Sequence, residues 1–382
     1  MSTLKVDNIR HNNATSDAIT MASDGTCTAR ITGMTGGGGL FSHKNMVING
    51  AMTVSQRGDV STTNSNASRQ YGGPDRFHQY YYQSDETARY DFKQGGASDS
   101  PVDKGFSNVA HLDVTTAQTS ITAGQSIWTG YRMEGYDGAH LKYGHSDAES
   151  VTLSFWIKSS VTGIYTILLG HTNDDERYVT TYTVNSADTW EKKTITFPGD
   201  TRSGKTISPS NGRGLELKWV WLAGSSRLAT PNEWATQGNK YGASGVTLAN
   251  IFSSTSNNLY LTGVQLEVGD TPTSFEHRTY EDELRRCKRY YQTAAYSTLM
   301  GSLAGAVGTP KILFEVIMRA IPSSVTTEHG GNGNGTFRNQ NDGSTLTGHT
   351  TFNYYINGFD CRGGNGSANI IYASTYKADA EL

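Results

Sequence analysis

The run Val151-Thr-Leu-Ser-Phe-Trp-Ile-Lys158 alternates without a break, with Val151, Leu153, Phe155 and Ile157 on one face. A period of two belongs to a strand with one buried side, and a helix of period 3.6 cannot satisfy it. Related runs recur at 77–82, 178–184, 190–197, 215–222 and 259–266, with Gly, Asn and Asp between them. Many short strands joined by turns imply a mainly β fold, an antiparallel sandwich of jelly-roll type over about residues 75–277. The 43 Gly and 21 Tyr against only 8 Pro agree with strands and turns. In Leu259-Tyr-Leu-Thr-Gly-Val-Gln-Leu the apolar face switches across Gly263, which predicts a β-bulge there.

The stretch 260–292 marks the end of that fold. Gly269-Asp-Thr-Pro272 stops the strand, because Pro lacks the N–H of a ladder. A helix follows over 279–292, capped by Thr279, with Glu281, Asp282 and Glu283 at its positive end. Arg285, Arg286, Lys288 and Arg289 lie at its negative end. Tyr280, Leu284, Cys287 and Tyr291 are spaced four, three and four apart and form one narrow seam. That width suits a helix meeting copies of itself; packing on the chain's own sandwich is the alternative.

The run Gly-Val-Gln-Leu-Glu-Val-Gly … Phe-Glu-His-Arg … Glu-Leu … Cys-Lys-Arg-Tyr-Tyr within 263–291 resembles a segment of bacteriophage tail-fibre and related virion proteins. There it closes a β-sandwich like that of carbohydrate-binding modules. The run 45–58 and Gly73-Pro-Asp-Arg-Phe77 resemble the start of the same sandwich, where Trp is common at the place of Phe77. The resemblance implies a homotrimer with Tyr280, Leu284, Cys287 and Tyr291 near its axis. The opening Ser2-Thr-Leu-Lys-Val-Asp-Asn-Ile9 resembles the N-termini of marine phage fibre-like proteins, which implies a virion protein that joins the tail or another virion protein through residues 1–35; the start shows no apolar signal stretch, so synthesis in the host cytoplasm is expected. Within the chain, Asn49-Gly50 is a strong hairpin signal.

Residues 1–39 contain weakly alternating pieces and the hinge Gly36–Gly39, and read either as an anchoring segment ordered by partners or as a disordered tail. The sandwich spans 40–278, the helical junction 279–292, and a small C-terminal β domain 293–382. In that last domain 312–319, 352–359 and 370–372 read as strands, and 377–382 resembles the closing strand of fibre tips. Loops dense in Gly and Asn over 329–366 flank Tyr354, Tyr355, Phe359 and Arg362, which are the candidate contacts to a host surface glycan or protein.

Other signals are weaker. Asn173-Asp-Asp-Glu-Arg177 gathers oxygen ligands for Ca²⁺ but lacks EF-hand spacing, and a solvated hairpin tip is the simpler reading. His140, His145 and His171 show no ligand spacing. Trp156, Trp219 and Trp221 are sugar platforms or core residues; Trp128 and Tyr131 stand nearer Gly-rich loops. Cys27, Cys287 and Cys361 form neither a zinc pair nor a disulfide framework. No catalytic, cofactor or metal motif is present. A net charge of −3 argues against nucleic acid, and no apolar run reaches the length of a membrane span. The function that the resemblance implies is host adhesion by a non-catalytic virion fibre. A purely structural virion part and a polysaccharide-cleaving tailspike are the alternatives.

Overall fold

The computed structural model describes residues 8–9, 19–21, 23, 27–29, 44–61, 69–82, 87–171, 175–300, 302–303, 306–307, 311–329, 335–339, 345–346, 350–362 and 370–382. Most of the anchoring segment, the Gly36–Gly39 hinge, Asn173 and Asp174, and parts of the 329–366 loops lie outside the described residues. In the N-terminal segment, Ile19–Met21 pairs antiparallel with Asn8–Ile9 and with Cys27–Ala29.

The fold is mainly β, as the alternation predicts. Ten strands carry the sandwich: β1 (Phe77–Tyr82), β2 (Arg89–Gly95), β3 (Val109–Thr116), β4 (Ser126–Glu134), β5 (Val151–Ser159), β6 (Gly163–His171), β7 (Glu176–Val184), β8 (Glu191–Phe197), β9 (Arg213–Ala223) and β10 (Asn258–Val268). They form a six-stranded sheet in the order β8-β5-β10-β3-β2, ending on Val60–Ser61. The seven-stranded sheet opposite runs from Trp234–Thr236 through β7-β6-β9-β4-β1 to Arg69–Tyr71. Every pairing in both is antiparallel. The inward positions of the two sheets meet in one core that includes Phe77, Tyr131, Phe155, Trp219 and Trp221. Phe155 and Trp219 pack edge to face at 5.8 Å.

The expected bulge is present. The β5–β10 register slips between Ser154 and Trp156, and Gly263 has φ +60. The Asn49-Gly50 signal gives a turn but no hairpin. Asn49, fully buried at φ 62, uses its side chain as a strand would use its backbone. Its Nδ2 donates to the Val54 and Asp75 carbonyls at 2.8 and 3.0 Å, and its Oδ1 accepts from Val54 N–H at 2.9 Å. Gly50 abuts β10 so closely that a Cβ would stand 2.0 Å from the Val264 carbonyl oxygen.

The helix runs over Tyr280–Lys288, and the Thr279 hydroxyl accepts from Asp282 N–H. It is shorter than expected, and Tyr291 already begins the next strand, Tyr291–Met300. Cys287 and the half-buried Leu284 pack on Ile48, Val54, Tyr290 and Leu382 of the same chain. Tyr280 is 60% exposed, and the Arg57 guanidinium covers the Tyr291 ring at 3.7 Å. The four residues thus form no continuous open seam on one helix. Two of them meet their partners in this chain, because the 44–54 turn and the chain's last residues fold back onto the helix.

In the C-terminal unit, Ile370–Asp379 pairs with Tyr291–Met300 and with Ser324–Glu328. Thr350–Tyr355 and Gly358–Arg362 form a hairpin. Of the run 312–319 only Ile312 and Leu313 are strand, within Lys311–Leu313; Leu313, Ile317 and, beyond the run, Ile321 are exposed. The unit does not stand apart from the sandwich. Arg57 pairs with Asp379 and Glu381 at 2.9 and 3.2 Å, Arg76 pairs with Glu381, and Tyr290 donates to Glu134 Oε1 at 2.7 Å.

Candidate functional site

Alternation gives each sheet an outward face, and the two are treated differently. On the seven-stranded sheet the segment 224–243 covers that face. Trp128, Leu168, Val179 and Val220 are sealed under Ala229, Tyr241 and Ala243. Lys218 is buried against Tyr241 of the same cover, and Glu216 is buried beside it on the same face. Burial opposes ionisation of Glu216, yet Lys218, His78 and Arg132 hold its carboxyl well below the usual range.

On the six-stranded sheet only one half is covered. The chain after β10 lies over the Gln265 end: Gln265 Oε1 accepts from Glu276 N–H at 2.8 Å, and Glu267 accepts from Thr273 N–H at 2.8 Å. Phe106, Phe275 and His277 cluster over Gly263 at ring separations of 4.8 to 5.3 Å. Beyond this cover the face is open. One row across four strands reads Lys158, Tyr260, His111, Lys93. The next reads Lys192 and Trp156 and ends on Thr262, which is buried and donates to the Asn108 carbonyl at 2.8 Å. Trp190 adjoins the first row, its ring centre 6.4 Å from that of Tyr260.

The first row is tightly stacked. The His111 and Tyr260 rings are 4.2 Å apart and tilted by 15°, and Lys158 Nζ lies 4.1 Å from the centre of the Tyr260 ring. Lys158 Nζ is also 5.5 Å from the Trp190 ring centre. Burial raises the Tyr260 pKa, with Asp99, Asp113 and Asp188 adding to it. Burial lowers that of His111. The Nε2 atom of His111 is out of solvent and has no hydrogen-bond partner among the described residues. Such an atom is costly to leave unpaired. At the far end Lys93 binds Asp113 at 3.0 Å and Asp91 at 3.2 Å. Half-exposed indoles next to hydrogen-bonding groups suit the flat apolar faces and hydroxyls of a saccharide.

The residues singled out from sequence fall elsewhere. Phe359 is fully buried in the core of the C-terminal unit beside Phe314 and Tyr376, and Tyr354 packs against that core. Tyr355 is exposed with Lys311 Nζ 4.0 Å from its ring centre, and Arg362 ends the strand Gly358–Arg362. A core position for Phe359 removes it from any receptor surface. Trp128, Tyr131, Trp219 and Trp221 are likewise buried; of the named aromatics in the sandwich only Trp156 reaches the open face. His171 is buried and bonds Asp200 at 2.8 Å, while His140 and His145 are exposed. Glu176 of the acidic run bonds Arg202 and Lys205 at 2.8 and 2.5 Å. No three metal-ligating side chains cluster among the described residues. Lys158, Tyr260, His111 and Trp190 were not distinguished in the sequence. The signal for Lys158 was available, since it shares the polar positions of the run 151–158 with Trp156.

No protein-family model matches the chain, and no curated protein does. Solved structures overlap it loosely. The enzymatically active domain of bacteriophage CBA120 tailspike protein 4 is 10% identical with a TM-score of 0.29, over 59% of this chain. The chain spans only 21% of that tailspike's length. The family 11 carbohydrate-binding module of Clostridium thermocellum Lic26A-Cel5E is 13% identical with a TM-score of 0.27, over 56% of this chain and 100% of that one. A cyclase from Fischerella sp. TAU is 10% identical with a TM-score of 0.28, over 58% and 89%. Overlaps this loose assign neither ligand nor activity.

Proposed function

We propose that this chain is a non-catalytic glycan-binding adhesion protein whose sugar site is the open half of the six-stranded sheet. The observation that carries the reading is the pairing there of half-exposed Trp156 and Trp190 with the row Lys158, Tyr260, His111. The comparable Lys–Tyr–Trp cluster on the other sheet is sealed. The sequence resemblance supports the setting: a bacteriophage virion fibre, a homotrimer, attached through residues 1–35 and touching a host surface glycan.

The test is binding of purified chain to host-surface polysaccharides by affinity electrophoresis. Trp156→Ala and Trp190→Ala should each weaken binding about tenfold, the worth of one good aromatic contact at ~1.4 kcal/mol. Absence of binding to any such polysaccharide, or unchanged binding by the double variant, would overturn the reading. In that case a purely structural virion part becomes the better account.

A further inference from the structure

We propose that the open face selects acidic saccharides, holding a sugar carboxylate between the Lys158 and Lys192 ammonium groups. This rests on the glycan-binding reading above and narrows it.

Tyr260 stands between Lys158 and His111 in its row, so its two neighbours cover its two ring faces. A neutral sugar stacking on this phenol would first have to displace an ammonium or an imidazole. What the row offers a ligand is therefore a set of polar groups: an ammonium, a phenol hydroxyl and an imidazole. These are chiefly hydrogen-bond donors, and donors beside a positive charge fit an anion.

The cations of the face are not equivalent. Lys93 is held by Asp91 and Asp113, and Lys104, 5.9 Å from the Trp156 ring centre, by Asp103 at 2.7 Å. Lys158 and Lys192 form no ion pair with any described residue; Lys158 lies instead against the Trp190 and Tyr260 rings. Their positions are also complementary. Lys192 lies directly across from Trp156, and Lys158 is two residues further along the same strand as Trp156. Diagonal neighbours of this kind are separated by roughly 7–8 Å, within the joint reach of two lysine side chains. Trp190 flanks Lys158 and Trp156 flanks Lys192, so two indoles and two ammonium groups alternate over one patch. A pyranose on an indole then brings a ring carboxylate between the two ammonium groups. The opposite end of the row repels the same group, because Asp91 and Asp113 flank Lys93 there and Asp99 and Asp113 act on the neighbouring His111. The preference thus has a direction: the acid lies over β5 and β8, away from β2.

The experiment compares a polyuronate with the same polymer after its carboxyls are reduced to alcohols. Polyacrylate serves as an anion without sugar. The full chain should bind the polyuronate at least tenfold more tightly than the reduced polymer, and polyacrylate more weakly than the polyuronate. Lys158→Met with Lys192→Met should erase the preference, so that the two polymers bind with equal affinity, while Lys158→Arg with Lys192→Arg should keep it. Thermal unfolding of each variant establishes that it is folded. Equal affinity for both polymers, tighter binding of neutral polymers, equal affinity for polyacrylate, or no effect of the methionine pair would overturn this inference alone. Failure to bind any polysaccharide would overturn it together with the reading it rests on.

Discussion

Two Lys–Tyr–Trp clusters sit on the two outward faces of one sandwich. On the seven-stranded sheet Lys218 Nζ is 4.9 Å from the Trp128 ring centre and 5.0 Å from that of Tyr241. On the six-stranded sheet Lys158 Nζ is 4.1 Å from Tyr260 and 5.5 Å from Trp190. What differs is cover. Tyr241 arrives on the segment that seals the first cluster, and Lys218 is 0% exposed. Lys158, Tyr260 and Trp190 remain half-exposed. A buried ammonium needs a counter-charge, and Glu216 lies 3.5 Å from Lys218. A solvated one needs none. The same three residue types are structural on one face and available to a ligand on the other, so exposure and not composition separates them.

The sharpest way to break the comparison is to remove the counter-charge on the covered face. Glu216 is buried among Arg132 at 3.0 Å, Arg213 at 3.2 Å, and Lys218 and His78 at 3.5 Å. Glu216→Gln leaves several cations without their carboxylate. The expected loss is about 3–5 kcal/mol of unfolding free energy, read in urea titrations. A loss below about 1 kcal/mol would mean that water reaches the cluster and that the face is not sealed.

Acid should act on the same face next most strongly. Burial pushes His78 down to about 4, against an ordinary value near 6.5. Between those values the unfolded chain binds a proton that the folded chain refuses, so stability falls as pH drops through that window. The full effect is on the order of 3 kcal/mol. Glu216, with its folded pKa depressed, adds a loss of the same sign only below the usual glutamate range. His78→Gln should flatten the upper part of the profile. His111→Gln, on the open face, should flatten it less, since burial lowers that pKa too but the ring is only partly withdrawn from water. Equal responses from the two variants would erase the distinction between the faces.

How much of this was legible depended on whether the deciding contact was local. The alternation of 151–158, the bulge at Gly263 and the Thr279 cap are written in neighbouring residues, and all are present. Trp128 and Tyr131 were not separable from surface aromatics. Their burial comes from a cover more than ninety residues later for Trp128 and from the opposite sheet for Tyr131. Phe359 sits beside an Asn-Gly turn and looks exposed, yet its strand closes a small core with Phe314 and Tyr376. The spacing places Leu284 and Cys287 on one side of the helix, and both pack there. Their partners, Ile48, Val54 and Leu382, come from both ends of the described fold, which helical spacing cannot reveal.

A smaller effect belongs to the boundary between the covered and open halves of the six-stranded sheet. Gly263 has φ +60, and a Cβ there would stand 2.6 Å from the Phe106 ring and 3.0 Å from Trp156 Cδ1. Gly263→Ala should cost about 1–2 kcal/mol from the left-handed backbone, with some addition from the ring that must move. Because the crowded side chains include Trp156, glycan affinity should fall along with the melting temperature. A stability loss with unchanged affinity would show that Trp156 is not part of the site.

The smallest expected change is the most discriminating. Lys158→Met removes the solvated member of the open cluster, so no buried charge is stranded and no cavity opens. What is lost is an exposed cation–π contact, worth about 0.5–1 kcal/mol, partly offset by the apolar methionine stem against the same rings. The net change in unfolding free energy should stay within about 0.5 kcal/mol, as for other surface substitutions. Salt provides the control: a solvated ammonium is screened, so raising ionic strength should shrink even this difference. A destabilisation approaching that of Glu216→Gln would mean that Lys158 is as deeply committed to the fold as its buried counterpart. The face would then be closed, and the lysine could serve stability but not a ligand.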